Sequence, residues 1–318
     1  MAQPMTDLVI IPAVELEAAP LRSLFDSFLA NRSPATLRGY RKDLGDFARF
    51  TGAASVPDAL RGFFSSRGRA HELASDYRGT MVQSGLGGAT INRRLSALRM
   101  LVKFAQLRGM VDWKLEIESA PVEKMRDTRG PGLDGFRRLL AAIEGHTPMD
   151  RRNRAVLRLL FDLALRREEI VRLDYEDLDV PGKRLAVLGK GRAGKQWLTL
   201  GAPTMAAVEA WVEVRGTVEG PLFFNFDPTG KAGKRLQGGG IYKVIVALGV
   251  KAGFPREDHQ IRPHGFRHAA ITELLDRTKG DVRKVQKFSR HRDVKVLMAY
   301  DDNRTDTQGE MTRLLSEE

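Results

Sequence analysis

The chain has 318 residues, 42% hydrophobic and 29% charged, which is typical of a globular protein of one to three domains. Its 52 Lys and Arg against 40 Asp and Glu give a net charge of +12, which favours a polyanionic partner, nucleic acid before an anionic membrane surface. The absence of cysteine excludes disulfide scaffolds, thiolate zinc sites and cysteine nucleophiles. No apolar run approaches the ~20 residues of a membrane span, and we expect a cytoplasmic protein with no membrane partner.

The first third of the chain has helical patterning. Residues 1–20 contain three prolines and no sustained period, and we interpret them as a tail. A helix is predicted from Ser33, because its hydroxyl can cap free amides, Pro34 suits the first turn and apolar residues recur along one face. A second helix is predicted over 90–108. Both carry basic residues off the apolar stripe, so we predict an all-helical, DNA-binding domain over 21–117.

The apolar period disappears in 118–132, which contain mixed charges and Gly-Pro-Gly, and we interpret this segment as a linker. Two short β-type runs, 185–188 and 196–200, predict a hairpin. Helical patterns are predicted over 134–145, 151–173, 203–215, 238–252, 267–278, 281–288 and 293–300. The predicted fold class is therefore mainly α with a small β-sheet, in a second, mixed α/β domain over 133–318 that ends in a tail helix over 303–318.

The turn between the two β-type runs reads Gly-Lys-Gly-Arg-Ala-Gly-Lys-Gln over 189–196, one residue short of a phosphate-binding loop. Gln196 lacks the hydroxyl that would hold Mg²⁺, and the next residues alternate as a strand rather than opening a helix. A nucleotide-dependent enzyme is therefore disfavoured. Two interpretations remain open: a solvated basic turn, and a hairpin tip that delivers a lysine to a DNA phosphate.

A dense group of histidine and arginine reads Arg-Pro-His-Gly-Phe-Arg-His over 262–268. Here His264 and Arg267 are three residues apart, so a helix places them one turn apart on the same face. An isolated His-x-x-Arg pair is more often the solvated start of a helix, and His291 or Tyr300 alone is an equally weak signal. The order and spacing of these motifs along the chain, taken together, are a far more specific signal of function than any one of them.

In chain order, the motifs are Ala-Leu-Arg-Arg-Glu-Glu-Ile from 164, Gly-Lys-Gly from 189, His-Gly-Phe-Arg-His from 264, Arg-His from 290, and a tyrosine nine residues after the last histidine. This series resembles the tyrosine recombinase, or phage integrase, family, and within it the compact Xer-like members. The family pattern is Gly-Leu-Arg-x-x-Glu-Leu, a Gly-Lys-Gly hairpin, His-x-Leu-Arg-His, Gly-His and the tyrosine. The segments 36–40 and 90–99 resemble the family's SAM-like core-binding domain, which implies a two-domain DNA clamp.

Three neighbours of the motif residues depart from the family pattern. Ala164 and Arg290 stand where glycine is usual, and Phe266 stands where leucine is usual. We expect these departures to alter packing or DNA contacts, not the chemical groups. Adjacent Arg166 and Arg167 leave a question of register, in which the Arg-x-x-Glu spacing selects Arg166 and keeps Arg167 as the alternative.

The resemblance implies catalytic roles for Arg166, Lys190, His264, Arg267, His291 and Tyr300. The two arginines would stabilise the charge of the pentacoordinate phosphate. His264 would act as general base on the nucleophile Tyr300, and as general acid on the return. His291 would donate a hydrogen bond to a non-bridging oxygen, and Lys190 would protonate the departing 5′ oxygen. The predicted DNA-contact residues of the first domain are Arg38, Arg41, Arg93, Arg94 and Arg99.

The implied function is site-specific recombination through a 3′-phosphotyrosyl intermediate, with no metal and no nucleotide as cofactor. The implied partner is a double-stranded recombination site, bound by a homo-tetramer on two sites or by a hetero-oligomer with a related recombinase, and the implied location is the nucleoid. Two alternatives are a type IB topoisomerase and a catalytically inactive DNA-binding regulator. The tail stripe of Met311, Leu314 and Leu315 would dock on its own domain or, as the resemblance implies, on a neighbouring protomer.

Overall fold

The structure is a computed structural model, and it describes residues 18–30, 32, 34–122, 130–226, 233–258, 260–291, 293, 294, 297, 312, 313, 315 and 316. The chain divides into two compact units, Met1–Lys124 and Met125–Glu318. Most of the predicted N-terminal tail over 1–20 and the central part of the predicted linker lie outside the described residues. So do Tyr300 and most of the helices predicted over 293–300 and 303–318.

The described part of the first unit is helical. Its helices are α1 Ala18–Ala30, α2 Pro34–Phe50, α3 Val56–Phe63, α4 Arg67–Gln83 and α5 Gly88–Leu107. Ser55 and Ser66 begin α3 and α4, because each hydroxyl oxygen accepts a backbone N–H bond from the first turn. The core contains Phe47, whose ring centroid lies 5.5 Å from that of Phe63 and 5.3 Å from that of Tyr77. The two helices predicted for this unit are confirmed as α2 and α5.

The second unit combines helices with one small sheet. Its helices are α6 Gly132–Ala141, α7 Pro148–Asp162, α8 Arg167–Val171, α9 Ala202–Arg215, α10 Gly238–Lys251, α11 Pro263–Arg277 and α12 Val282–Ser289. Three antiparallel strands, β1 Leu178–Asp179, β2 Arg184–Leu188 and β3 Lys195–Thr199, lie in the order β1-β2-β3. The β2–β3 pair confirms the predicted hairpin. In the described part of the chain, no helix has the length and apolar character of a membrane span.

The single helix predicted over 151–173 is wrong. The structure ends α7 at Asp162 and begins α8 at Arg167. Between them Ala164 has a φ of +45°, a left-handed conformation that stops an α-helix. Ala164 and its two neighbours are all buried, so the apolar period continues through the break. Periodicity alone therefore does not reveal it, although the break determines which residues face the site.

Candidate active site

Four of the six residues predicted for catalysis come from three segments of the second unit. Arg166 directly precedes α8, His264 and Arg267 lie in the N-terminal part of α11, and His291 follows the end of α12. Arg267 Nη2 lies 3.2 Å from His291 Nε2. Both arginines lie close enough to His264 and His291 for their charges to lower the pKa of each imidazole. The structure thus brings these four side chains into one group, called here the Arg–His cluster.

The start of α11 sets the directions of its side chains. Pro263 occupies the first turn, where its missing N–H has no helical partner to lose. Gly265 packs against backbone, and a Cβ there would lie 2.2 Å from a carbonyl oxygen, so only glycine fits. Phe266 is fully buried in the core, whereas His264 is exposed. This local arrangement fixes the helix against the core and leaves the His264 imidazole at the surface of the cluster.

Arg267 is buried, with 1% of its surface exposed, and its contacts orient it firmly. Its Nη1 donates to the carbonyl oxygen of Ala164 at 2.5 Å, and its Nη2 donates to the carbonyl oxygen of Ser289. These carbonyls are neutral, so they hold the guanidinium without cancelling its charge. The left-handed residue Ala164, which separates α7 from α8, is the same residue whose carbonyl oxygen accepts this bond from Arg267.

Arg166 is held by a buried carboxylate. Glu169 Oε2 accepts the backbone N–H of Arg166 at 2.9 Å, and its Oε1 accepts from Arg166 Nη1 at 2.8 Å. Burial would raise the pKa of Glu169, but the Arg166 N–H and the charges of Arg290 and Arg166 outweigh burial and lower that pKa below its ordinary value. Arg167 instead pairs with exposed Glu168. The geometry therefore places Arg166, and not Arg167, in the cluster.

Both histidines of the cluster are neutral at neutral pH. Partial removal from water lowers the pKa of His264, and the charges of Arg267 and Arg166 lower it further. Burial and the charges of Arg267 and Arg166 also lower the pKa of His291, to about 4. A neutral imidazole has a free nitrogen lone pair, which is what a general base requires.

The hydrogen bonds of His291 assign its tautomer. Its Nε2 accepts from Arg267 Nη2, since a guanidinium has only donors. The proton therefore sits on Nδ1, which donates to Ser289 Oγ at 2.9 Å, and that hydroxyl donates to the carbonyl oxygen of Gln286 at 3.3 Å. In this arrangement Nε2 is an acceptor, so donating to a phosphate oxygen, as predicted for His291, requires this nitrogen to gain a proton or the ring to change partners.

Lys190 is exposed in the turn between β2 and β3, and it makes no hydrogen bond or ion pair to the residues that the structure describes. Its neighbour Lys195 forms an ion pair with buried Asp177 and is held on β3. Burial lowers the pKa of Arg290, and the charge of Arg192, in the same turn, lowers it further. The hairpin turn therefore lies within electrostatic range of Arg290, which directly precedes His291.

The arginines predicted to contact DNA in the first unit do not form one group. Arg38 and Arg41 are exposed on α2, three residues apart and free to face a ligand together. Arg99 of α5 donates to the carbonyl oxygen of Ile117 at 2.5 Å and so attaches the segment that follows α5. The first two residues are available to a polyanion, while the third has a structural contact.

Arg93 and Arg94 of α5 pair with carboxylates of α2. Arg93 Nη1 contacts Asp43, and Arg94 Nη2 lies 2.6 Å from Asp46 Oδ2. The Arg93 side chain keeps 47% of its surface exposed, against 18% for Arg94. Arg93 can thus offer its outer edge to a ligand, whereas Arg94 is committed to the contact between the two helices.

Two residues at the cluster were not among the predicted catalytic set. Glu169 has a sequence signal, because the Arg-x-x-Glu spacing that selects Arg166 also puts the carboxylate one helical turn away. Arg290 stands out in the sequence only as a departure from the family's glycine, and its partner is hidden because the carboxylate that it contacts is 121 residues away in the chain. Only the folded chain reveals that contact.

Two family models and several curated relatives match the chain. Residues 133–306 match the phage integrase family, and residues 24–109 match the phage integrase N-terminal SAM-like domain. The chain is 37% identical over 292 residues to tyrosine recombinase slr0733 of Synechocystis sp., covering 90% of this chain and 92% of that protein. It is 29% identical to tyrosine recombinase XerC of Chromohalobacter salexigens, covering 89% and 90%.

Solved structures share the fold. One is the Tn1549 transposon integrase in complex with transposon right-end DNA, with a TM-score of 0.68, 15% identity, and coverage of 94% of this chain and 100% of that chain. Another is the XerH site-specific recombinase bound to a palindromic difH substrate, with a TM-score of 0.66, 19% identity, and coverage of 95% and 85%. With the catalytic and N-terminal domain matches, the chain therefore belongs to the phage integrase family of tyrosine recombinases, enzymes that cleave and rejoin DNA strands.

Proposed function

We propose that this recombinase cleaves a specific duplex site through the Arg–His cluster, with Tyr300 as the nucleophile. The observation that carries the proposal is the position of neutral His264 beside two guanidinium groups, those of Arg166 and Arg267. Positive charge at this place favours binding of a phosphodiester, and the same charge keeps the imidazole unprotonated and able to accept a proton.

In the proposed step, the Tyr300 oxygen attacks phosphorus and the bond from phosphorus to the 5′ oxygen breaks. The phenolic proton passes to His264, and Lys190 supplies a proton to the departing 5′ oxygen. The two arginines stabilise the charge on the non-bridging oxygens. The phosphotyrosyl ester keeps the energy of the broken bond, so the 5′ hydroxyl of a second strand can reverse the step without ATP.

Lys190 suits the proton-donor role better than Lys195. Lys190 is exposed in the turn, while Lys195 has a carboxylate partner in Asp177. With a 5′-thio leaving group, which departs without protonation, Lys190→Ala should recover much of its cleavage rate. The matched Lys195→Ala variant should show no such recovery; the reverse pattern would assign the role to Lys195.

For the first unit, we propose that Arg38, Arg41 and Arg93 contact DNA phosphates, which carry most of the affinity and make it salt-dependent. Arg94 and Arg99 belong to the proposal only as residues that shape this surface, because each has a partner inside the unit. The clamp of two domains, the tetramer on two sites, a related recombinase as hetero-partner, and the nucleoid location follow from the resemblance.

Leu315, from the tail stripe, supports docking of the tail on a neighbouring protomer. Its side chain is 83% exposed, so it does not pack on the part of its own unit that the structure describes. Met311 and Leu314 lie outside the described residues. Deletion of 305–318 should leave binding to one half-site intact and weaken cooperative filling of the second, measured by gel-shift titration. Unchanged cooperativity would favour docking of the tail within its own chain.

The alternatives are not favoured. A catalytically inactive regulator predicts loss of the catalytic groups, whereas the residue types of all six predicted positions are intact. A type IB topoisomerase would relax supercoiled DNA with no recognition site, and the curated relatives are named tyrosine recombinases.

The test of the proposal is trapping of a covalent adduct on nicked DNA that carries the recombination site, with EDTA and without ATP. The wild type should form the adduct, and Tyr300→Phe should bind the site but form none. Tyr242→Phe, which alters an exposed tyrosine of α10, is the matched control and should react normally. An adduct at full level with Tyr300→Phe would assign the nucleophile to another tyrosine.

A further inference from the structure

Arg290 has an unusual backbone and an unusual environment. It ends α12 with φ 60° and ψ 31°, a left-handed conformation that residues with a Cβ rarely adopt. Its side chain is only 4% exposed, although arginine is among the residues least often buried. A buried cation in a disfavoured conformation needs compensating contacts, and these contacts show what Arg290 does.

The guanidinium of Arg290 joins the end of α12 to the break between α7 and α8. Its Nη1 donates to the carbonyl oxygens of Leu163 at 3.2 Å and Phe288 at 3.3 Å. Its Nη2 donates to Glu169 Oε2 at 3.0 Å. That same oxygen accepts the backbone N–H of Arg166, whose Nη1 donates to the other oxygen. One buried carboxylate is therefore shared by two arginines.

Glu169, Arg166 and Arg290 form a charged group whose net charge affects how well the site binds a phosphate. Glu169 is 2% exposed, so its charge is poorly screened by water. If it paired with Arg166 alone, the carboxylate would cancel the charge that a phosphate needs. With Arg290 as a second partner, the three groups carry one surplus positive charge while Arg166 stays anchored.

We propose that Arg290 is a positioning residue for Arg166: by sharing the Glu169 carboxylate, it fixes the Arg166 guanidinium and leaves its charge available to the scissile phosphate. This inference rests on the proposed function of the Arg–His cluster. Arg290 does not touch the phosphate in this role, and its contribution to cleavage passes through Arg166. The competing interpretation is that Arg290 only fastens α12, in which case its loss affects the site independently of Arg166.

The experiment measures the single-turnover rate of adduct formation by the full chain at saturating concentration on nicked site DNA. Arg290→Gly removes the charge and also relieves the left-handed backbone, so the fold keeps a residue suited to that φ. The matched control is Lys279→Gly, an exposed basic residue that also has a positive φ, of 50°. We expect Arg290→Gly to react about tenfold more slowly or worse, the scale on which loss of orienting partners lowers activity. Lys279→Gly should react normally, and Arg290→Lys should recover part of the rate.

A double-mutant cycle shows whether the effect of Arg290 on cleavage depends on Arg166. If Arg290 acts through Arg166, adding Arg290→Gly to Arg166→Ala should change the remaining rate less than twofold. An equal loss in both backgrounds, or no loss in either, overturns the inference. If Arg290→Gly does not fold, Arg290→Asn takes its place in the cycle, because asparagine tolerates the left-handed region. No adduct with the wild-type chain contradicts the proposed function itself, and not the role of Arg290.

Discussion

Arginines pair with buried carboxylates in both units, but the surroundings of the arginines differ. In the first unit, Asp43 and Asp46 of α2 face Arg93 and Arg94 of α5, and Asp46 also pairs with Arg49 of its own helix, whose side chain is 76% exposed. In the second unit, the single carboxylate of Glu169 serves two arginines. The first arrangement holds two helices together, and water screens the charge of the additional cation, because Arg49 is exposed. The second retains a surplus positive charge at the place where a phosphate would bind.

Arg267 extends this difference. Carbonyl oxygens of Ala164 and Ser289 orient its guanidinium, and these acceptors add no negative charge. An arginine that is oriented by neutral carbonyl oxygens keeps more of its charge for a ligand than one whose guanidinium pairs with a carboxylate. The partners of each arginine therefore indicate whether it can bind a ligand, and the number of arginines in the chain does not.

The largest expected effect is on the cleavage rate, and it concerns two arginines of the second unit. Arg166→Ala and Arg267→Ala should each lower the cleavage rate about 10²–10³-fold, since loss of one preorganised donor commonly costs ~3–4 kcal/mol. Site affinity, measured by gel shift, should change much less. The Arg167→Ala variant, which removes an exposed neighbour, is the control and should cleave normally. Normal cleavage by either cluster variant at saturation would remove that arginine from the proposed mechanism.

The next effect concerns the first unit and should appear in stability. Asp46→Asn leaves the largely buried Arg94 and the exposed Arg49 without their ion-pair partner. The free energy of unfolding should fall by about 2 kcal/mol, below the full cost for a wholly buried pair, because Arg94 keeps some exposure and the exposed Arg49 adds little. Urea denaturation measures this change. Asp76→Asn, at an exposed position of α4, should have little effect. Folded Asp46→Asn protein should still cleave at the wild-type rate when the DNA is saturating. A slower rate would show that this ion pair of the first unit also affects catalysis.

A smaller effect concerns the pH dependence of cleavage. The pKa of His264 lies below the ordinary 6.5 because of partial burial and the charges of Arg267 and Arg166. The general base therefore stays neutral as pH falls through 6.5, and the acid limb of the cleavage rate should lie below that pH. Arg166→Ala removes one of the charges and should move the residual acid limb to higher pH. A limb at 6.5 or above in the wild type would contradict the electrostatic description of the cluster.

The smallest effect is expected at Ala164. Glycine relieves the left-handed backbone, worth roughly 1–2 kcal/mol. It also removes a buried methyl, about 0.8 kcal/mol, and adds freedom to the unfolded chain, about 0.4–1 kcal/mol, so Ala164→Gly should change the free energy of unfolding by no more than about 0.8 kcal/mol in either direction. Ala164→Val, which puts a β-branched residue at the same φ, should destabilise strongly. Thermal unfolding of the two variants decides this, and similar losses for both would show that packing, not backbone conformation, controls the position.

The sequence by itself determined the family, the helical first domain, the β-hairpin and the register of the first motif. The helical domain, the hairpin and the motif register follow from local rules, because the apolar period, the capping residues and the Arg-x-x-Glu spacing all lie within one or two helical turns. The family follows instead from the resemblance of the whole motif series between residues 164 and 300. It also selected His264, Arg267 and His291, which the structure brings together with Arg166. Their catalytic roles stay predictions, as does the role of Tyr300, which lies outside the described residues.

Only the tertiary structure decided which basic residues keep their charge for a ligand. Arg94 and Arg99 occupy a basic pattern in the sequence, yet each has an acceptor inside the first unit. The break at Ala164 and the contact from Arg290 to Glu169 are equally hidden, because a continuous apolar period masks the first and a separation of 121 residues masks the second. Pairing of charges depends on which side chains folding brings within a few ångströms, and chain-local patterns contain no record of that distance.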